Sequence, residues 1–190
     1  MVLAPFATVD RSTLRWLRTS ETPLEFTLSA GESTVATLRW AAHRGSLATA
    51  ETAEGSWTLK RTGFLSPRLT VRPKGSTEEL AHLAAHLRHH TLELTQGGAY
   101  RLRRAGLLLP AWSLSTGSGT EVLHVEPVPD GRKLAAGAVL VEADVAAAEA
   151  LLLVVLVWYF IVLAWFEDET AEALAPFEGP DAPESLGHRT

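Results

Sequence analysis

Between Leu14 and Arg72 apolar side chains recur at every second position, the period of a half-buried strand. Leu14 and Trp16 begin the pattern, and Leu24, Phe26 and Leu28 resume it after the turn-like cluster Ser20-Glu21-Thr22-Pro23. Thr34–Trp40 continues it, with Ala36, Leu38 and Trp40 on one face and Val35, Thr37 and Arg39 on the other. Leu47–Thr52 is a weaker strand. Trp57–Arg61 and Leu69–Arg72 are two good ones, joined through Thr62-Gly63-Phe64-Leu65-Ser66-Pro67. Short strands with turn signals about every ten residues predict an antiparallel sheet that closes on itself.

Residues 76–92 carry two periods at once. Ser76-Thr77-Glu78-Glu79 has the form of a capping box, and Leu80, Leu83, Ala84 and Leu87 have helical spacing. The stretch then runs into His90–Leu94, which alternates. A short helix or an extended edge over 78–87 is therefore expected. A hairpin follows, turning at Gln96-Gly97-Gly98-Ala99 into Tyr100–Arg103. Ala111–Ser115 and Glu121–Val125 are further strands, separated by Thr116–Gly119. Pro127–Gly131 reads as a turn before a last apolar strand over Leu134–Val141. Trp57 and Trp112 open strands of similar sequence, which suggests a repeated unit.

Beyond this point the pattern changes. Ala150–Phe166 is seventeen residues without a charge. It predicts a helix over about 145–166, with Asp144 as N-cap and Glu149 near the positive end of its dipole. Such a helix is apolar on every side and demands burial all round, in lipid or in protein. At 1.5 Å per residue it spans about 25 Å, short of a hydrocarbon core of about 30 Å. Three features favour protein. Both flanks are acidic, no lysine or arginine lies between Lys133 and Arg189, and Trp158 and Tyr159 sit mid-run, away from the interfaces that amphipathic aromatics prefer. Trp165 and Phe166, at one end, are placed as a membrane belt would be. In the core reading Leu152, Leu153, Leu156, Val157, Tyr159, Phe160 and Leu163 are interior. Residues 1–12 read as an N-terminal arm, 13–169 as the domain, and 170–190 as a disordered acidic tail.

Composition adds an asymmetry. The chain of 190 residues has a net charge of −5 and no cysteine, which removes disulfides, thiolate metal sites and a cysteine nucleophile. Residues 57–104 hold nine basic residues against three acidic ones, whereas 121–190 hold three against thirteen. The two segments either neutralise each other or leave the basic one for an anionic partner. The N-terminus has no basic n-region and Pro5 interrupts its apolar residues, so no secretory signal is expected. The expected compartment is the cytoplasm, with the protein free or attached to a membrane.

The strand pair around Leu92-Glu93-Leu94 and Gly98-Ala99-Tyr100-Arg101-Leu102, then Trp112-Ser113-Leu114, Val122–Val125 and the helix with Val157–Leu163 trailed by acids, resembles the tubby C-terminal-domain-like superfamily. Phospholipid scramblases and plant LURP-one-related proteins share that fold, and the chain is most similar to small bacterial members. The resemblance covers residues 14–170 and is strongest over 90–169. It implies a mainly β fold, a closed antiparallel barrel of about twelve strands threaded by one hydrophobic C-terminal helix, which leaves no sheet edge and fills the lumen. Members bind phosphoinositides or are associated with lipid scrambling. The scramblases' palmitoylation and calcium features find no match, because cysteine is absent and Glu167-Asp168-Glu169-Thr170 lacks calcium-loop spacing.

Candidate chemistry is sparse. Lys60, Arg61, Arg68, Arg72, Arg101, Arg103 and Arg104, with Lys74, are candidates for lipid-headgroup binding; ordinary outward strand charge is the plainer reading. His82, His86 and His89 share one side if 78–90 is helical and are a weak metal candidate, a solvated polar face being the alternative. No G-x-S-x-G elbow, P-loop or dinucleotide fingerprint occurs, so no catalysis, cofactor or small-molecule substrate is expected. Acidic net charge and few aromatics near the basic residues argue against nucleic acid. The expectation is a non-enzymatic domain contacting an anionic phospholipid surface or a protein partner. The alternative is a C-terminally anchored membrane protein with a cytoplasmic β domain.

Overall fold

A computed structural model describes residues 2–42, 45–63, 67–85, 89–105, 111–141 and 145–174, with side chains described for all of these except residues 85 and 168–174. Twelve strands close into one antiparallel barrel in which each strand pairs with its neighbours in sequence. They are β1 (Leu14–Glu21), β2 (Leu24–Ala30), β3 (Ser33–Trp40), β4 (Ala48–Thr52), β5 (Gly55–Thr62), β6 (Arg68–Pro73), β7 (Ala81–Ala85), β8 (His90–Leu94), β9 (Ala99–Ala105), β10 (Ala111–Thr116), β11 (Glu121–Asp130) and β12 (Lys133–Val141). β1 pairs with β12 and completes the circle, leaving no free edge. The helix α1 (Ala147–Leu174) follows.

The period-two pattern places one side of each strand in the core. Leu24, Phe26 and Leu28 on β2, and Leu38 and Trp40 on β3, are all buried. Their partner surface is α1. From Ala150 to Leu163 every residue except the half-buried Phe160 is buried, so the apolar surface of the helix is covered by the barrel wall. α1 is long and apolar enough to cross a membrane by length and composition, but it occupies the lumen. The interior positions expected from sequence, Leu152, Leu153, Leu156, Val157, Tyr159, Phe160 and Leu163, all belong to or pack against this core.

Aromatic contacts set the rotation of α1. Trp158 stacks on Trp16 with centroids 5.7 Å apart and planes 5° apart, and Phe26 meets it edge-on at 5.4 Å. Tyr159 stacks on Trp40 at 5.7 Å, and its hydroxyl donates to the Ser46 carbonyl. Gly137 of β12 lies opposite Trp16 in the closing pair. A Cβ there would lie 2.3 Å from the Trp158 ring, so only glycine lets the helix approach.

The barrel has two distinct ends. α1 begins at the near end, where Arg11 donates to the Val145 carbonyl and the Tyr100 hydroxyl bonds the Glu149 carboxylate. Burial, reinforced by that carboxylate, pushes the Tyr100 hydroxyl up to about 12. The N-terminal arm is part of this end. Phe6 is fully buried, and its amide donates to Glu54 at 2.8 Å. α1 leaves at the far end, where the Trp165 indole donates to the Arg132 carbonyl at 2.9 Å.

Three sequence expectations are sharpened or changed. Of the two readings for 78–87, the extended one holds over Ala81–Ala85, which pairs with both β6 and β8 and so is not an edge. The Glu79 carboxylate that a capping box would use is taken by Arg68 and Arg72, while Ser76 accepts only the Glu78 amide. Second, Pro127 and Pro129 lie inside β11, with the turn after Asp130. Among the described residues the pairing of β11 with β10 runs no further than Val125, whereas its pairing with β12 runs to Asp130. Third, α1 runs to Leu174, beyond the expected end near 166 and into the segment expected to be a disordered tail. Asp144, expected as the N-cap, lies outside the described residues, as does the tail from 175 onward.

Candidate functional site

The basic residues selected from sequence all lie on the β5–β9 side of the barrel but divide into two sets. Alternation and pairing send Lys60, Arg68, Arg72, Arg101 and Arg103 outward. Arg68, Ala84, Thr91 and Arg101 lie opposite one another across β6 to β9, so Arg68 and Arg101 are about 14 Å apart at the usual strand spacing. Arg61 and Arg104 instead fall on the inward register, in line with buried Leu59 and Leu102, at the far end.

Their electrostatics differ as much as their positions. Arg68 and Arg72 both bond Glu79, at 2.9 and 2.8 Å. The hydrogen bond from Arg72, with the charge of Arg68 nearby, holds the Glu79 carboxyl below its ordinary value. Lys74, beside them, pairs with Glu51 at 3.1 Å, and Arg61 pairs with Glu167 of α1. Among the described residues, Lys60, Arg101, Arg103 and Arg104 have no acidic partner. Arg101 and Arg103 are exposed, so the cationic surface left open to an anion is smaller than the sequence count and centres on β9.

His82 points outward from β7, with Nε2 3.4 Å from Glu93 on β8. His86 lies outside the described residues, and His89 immediately precedes β8. His82 lies on a strand and not on the helix that the metal reading supposed. Among the described residues no group of three or more His, Cys, Asp or Glu side chains could hold a metal.

Sequence reasoning missed a cavity of about 240 Å³ at the far end, between the β5–β10 wall and α1. Leu69, Leu83, Leu163 and Ala164 give it apolar walls, and His90, Trp112 and Phe160 an aromatic side. Phe160 lies 4.5 Å from the His90 ring and 4.9 Å edge-on from Trp112. Arg61, Arg104 and Glu167 supply its charges. Two signals for it exist in the sequence. Arg104 shares the parity of Tyr100 and Leu102, and Ala164 interrupts a face of α1 otherwise occupied by Phe160, Leu163 and Glu167.

No protein-family model, no curated protein and no solved structure matches the chain.

Proposed function

We propose that the protein is a non-enzymatic binding module, a tubby-like barrel whose β5–β9 face docks on anionic lipid headgroups. The supporting observation is the contrast among its cations. Arg68 and Arg72 are neutralised by Glu79, whereas the exposed Arg101 and Arg103, with Lys60, meet no acid among the described residues. Unpaired cations on a rigid, outward-facing sheet attract a surface of anionic headgroups, each contributing about 1 kcal/mol near the membrane. α1 supports this reading by keeping the wall closed and the strands in fixed register. Net charge of −5 and the scarcity of aromatics beside these residues argue against a nucleic-acid partner.

Co-sedimentation with vesicles tests the proposal. The protein is expected to pellet with phosphatidylglycerol-containing vesicles but not with pure phosphatidylcholine, and to be released by salt. Arg101→Glu/Arg103→Glu is expected to weaken binding by at least ~30-fold, the loss of two such contacts. Equal binding to both vesicle types, or no change in the double variant, refutes the headgroup reading.

A further inference from the structure

Most of α1 between Ala150 and Leu163 is buried against the wall, and beside Ala164 a cavity opens. Phe160, Leu163, Ala164 and Glu167 fall on one face of α1, and Ala164 leaves the opening that Leu69 and Leu83 border from the strands. The opening is apolar over most of its lining and ends in charge. One cation there is already occupied, because Arg61 pairs with Glu167. The other is not: Arg104 turns toward the cavity from β9, beside Trp112 of β10, and pairs with no acid among the described residues. At about 240 Å³ the space is smaller than pockets that enclose drug-sized ligands, about 300–1,000 Å³. It suits one alkyl chain and excludes a whole diacyl lipid.

We propose that this cavity binds a single-chain anionic amphiphile, with its alkyl chain between Leu69, Leu83, Phe160 and Leu163 and its anionic head on Arg104. The site is separate from the outward β9 cations and does not depend on the headgroup reading. It also departs from the expectation that small molecules play no part. The geometry assigns each half of the ligand a different job. The walls release water from the chain at roughly 0.8 kcal/mol per buried methylene, and Arg104 selects the sign of the head. The chain can come from a free fatty acid or from a bilayer lipid.

Calorimetric titration of the full chain with decanoate below its micellar concentration tests the site. Saturable binding of one decanoate per chain is expected, with no competition from decyltrimethylammonium, which has the same chain and the opposite charge. Arg104→Gln and Ala164→Phe are each expected to weaken binding at least tenfold, and Arg104→Lys to restore part of it. Ala164→Leu gives a milder filling should Ala164→Phe fail to fold, and thermal melts verify that the variants are folded. No saturable binding by the natural chain overturns the proposal. So does wild-type affinity in the folded filling variant, which would put the ligand outside the cavity, or in Arg104→Gln, which would remove the head from its assigned partner. A vesicle arm separates the two sources: a folded filling variant that still pellets with anionic vesicles assigns a free acid, and one that is released assigns a bilayer lipid chain. Arg101→Glu/Arg103→Glu is expected to leave decanoate affinity unchanged, so failure of this site and failure of the headgroup reading give different results.

Discussion

Gly137 shows how a single residue sets the approach of helix to wall. Its φ lies outside the left-handed region, so Gly→Ala would ordinarily stabilise a strand by about 0.4–1 kcal/mol through the unfolded chain. Here the added Cβ would enter the Trp158 ring, itself held by the stack on Trp16. Overpacking of this kind costs about 1–3 kcal/mol and outweighs the entropic gain. Gly137→Ala is therefore expected to lower Tm by roughly 2–10 °C in a thermal melt. An unchanged or raised Tm would mean that Trp158 does not press on β12. The chain's two tyrosines give a second residue-scale prediction. Burial raises both hydroxyls, Tyr100 to about 12 and Tyr159 further still. Their stabilising preference for the neutral form is complete below the unfolded value of about 10 and is lost as pH rises through the folded values. Absorbance at 295 nm should thus show no tyrosinate near pH 10, and stability should fall between pH 10 and 12. A tyrosine titrating near 10 in the folded protein would contradict the burial.

At the scale of elements, the sequence reveals strands where only alternation matters and loses them where a neighbour decides. Leu24, Phe26 and Leu28, or Tyr100 and Leu102, need nothing beyond their own spacing to be read correctly. Leu80, Leu83 and Leu87 have helical spacing, yet Ala81–Ala85 is a strand. That strand is held by β6 and β8 on either side, and Glu79 just before it is bonded by arginines seven and eleven residues away. Pro127 and Pro129 read as a turn, yet they lie inside β11 and pair with β12. The candidate site follows the same division. The cationic residue types are visible in the sequence, but the pairings that silence Arg61, Arg68 and Arg72 are not. The cavity joins β5, β9 and α1, which alternation cannot bring together. α1 itself is readable, since an all-apolar run must be enclosed. Val157→Asp would place an unpaired carboxylate in that enclosure, where Val157 is 1% exposed. The penalty rivals the whole stability of a domain, about 5–15 kcal/mol. Expression of the variant is expected to give insoluble or unfolded protein by circular dichroism; a cooperatively melting variant would contradict a filled lumen.

For the whole molecule, the barrel and α1 are mutually dependent. A twelve-stranded barrel without its helix leaves an apolar lumen, and α1 without the barrel leaves an apolar helix. Closure of β1 on β12 removes the sheet edge, while α1 supplies the core that such a wide ring needs. Everything proposed about binding rests on this unit, because it fixes the outward register of Arg101 and Arg103 and holds Ala164 beside the far-end cavity. Amide hydrogen exchange, followed by mass spectrometry on protein purified without detergent, tests that unit most directly. If α1 is the core of the barrel, peptides covering Ala150–Leu163 should exchange as slowly as those of β1, β2 and β12, opening with them in one cooperative step. Fast exchange across α1 while the strands stay protected, or a chain that cannot be kept in solution without detergent, would contradict it.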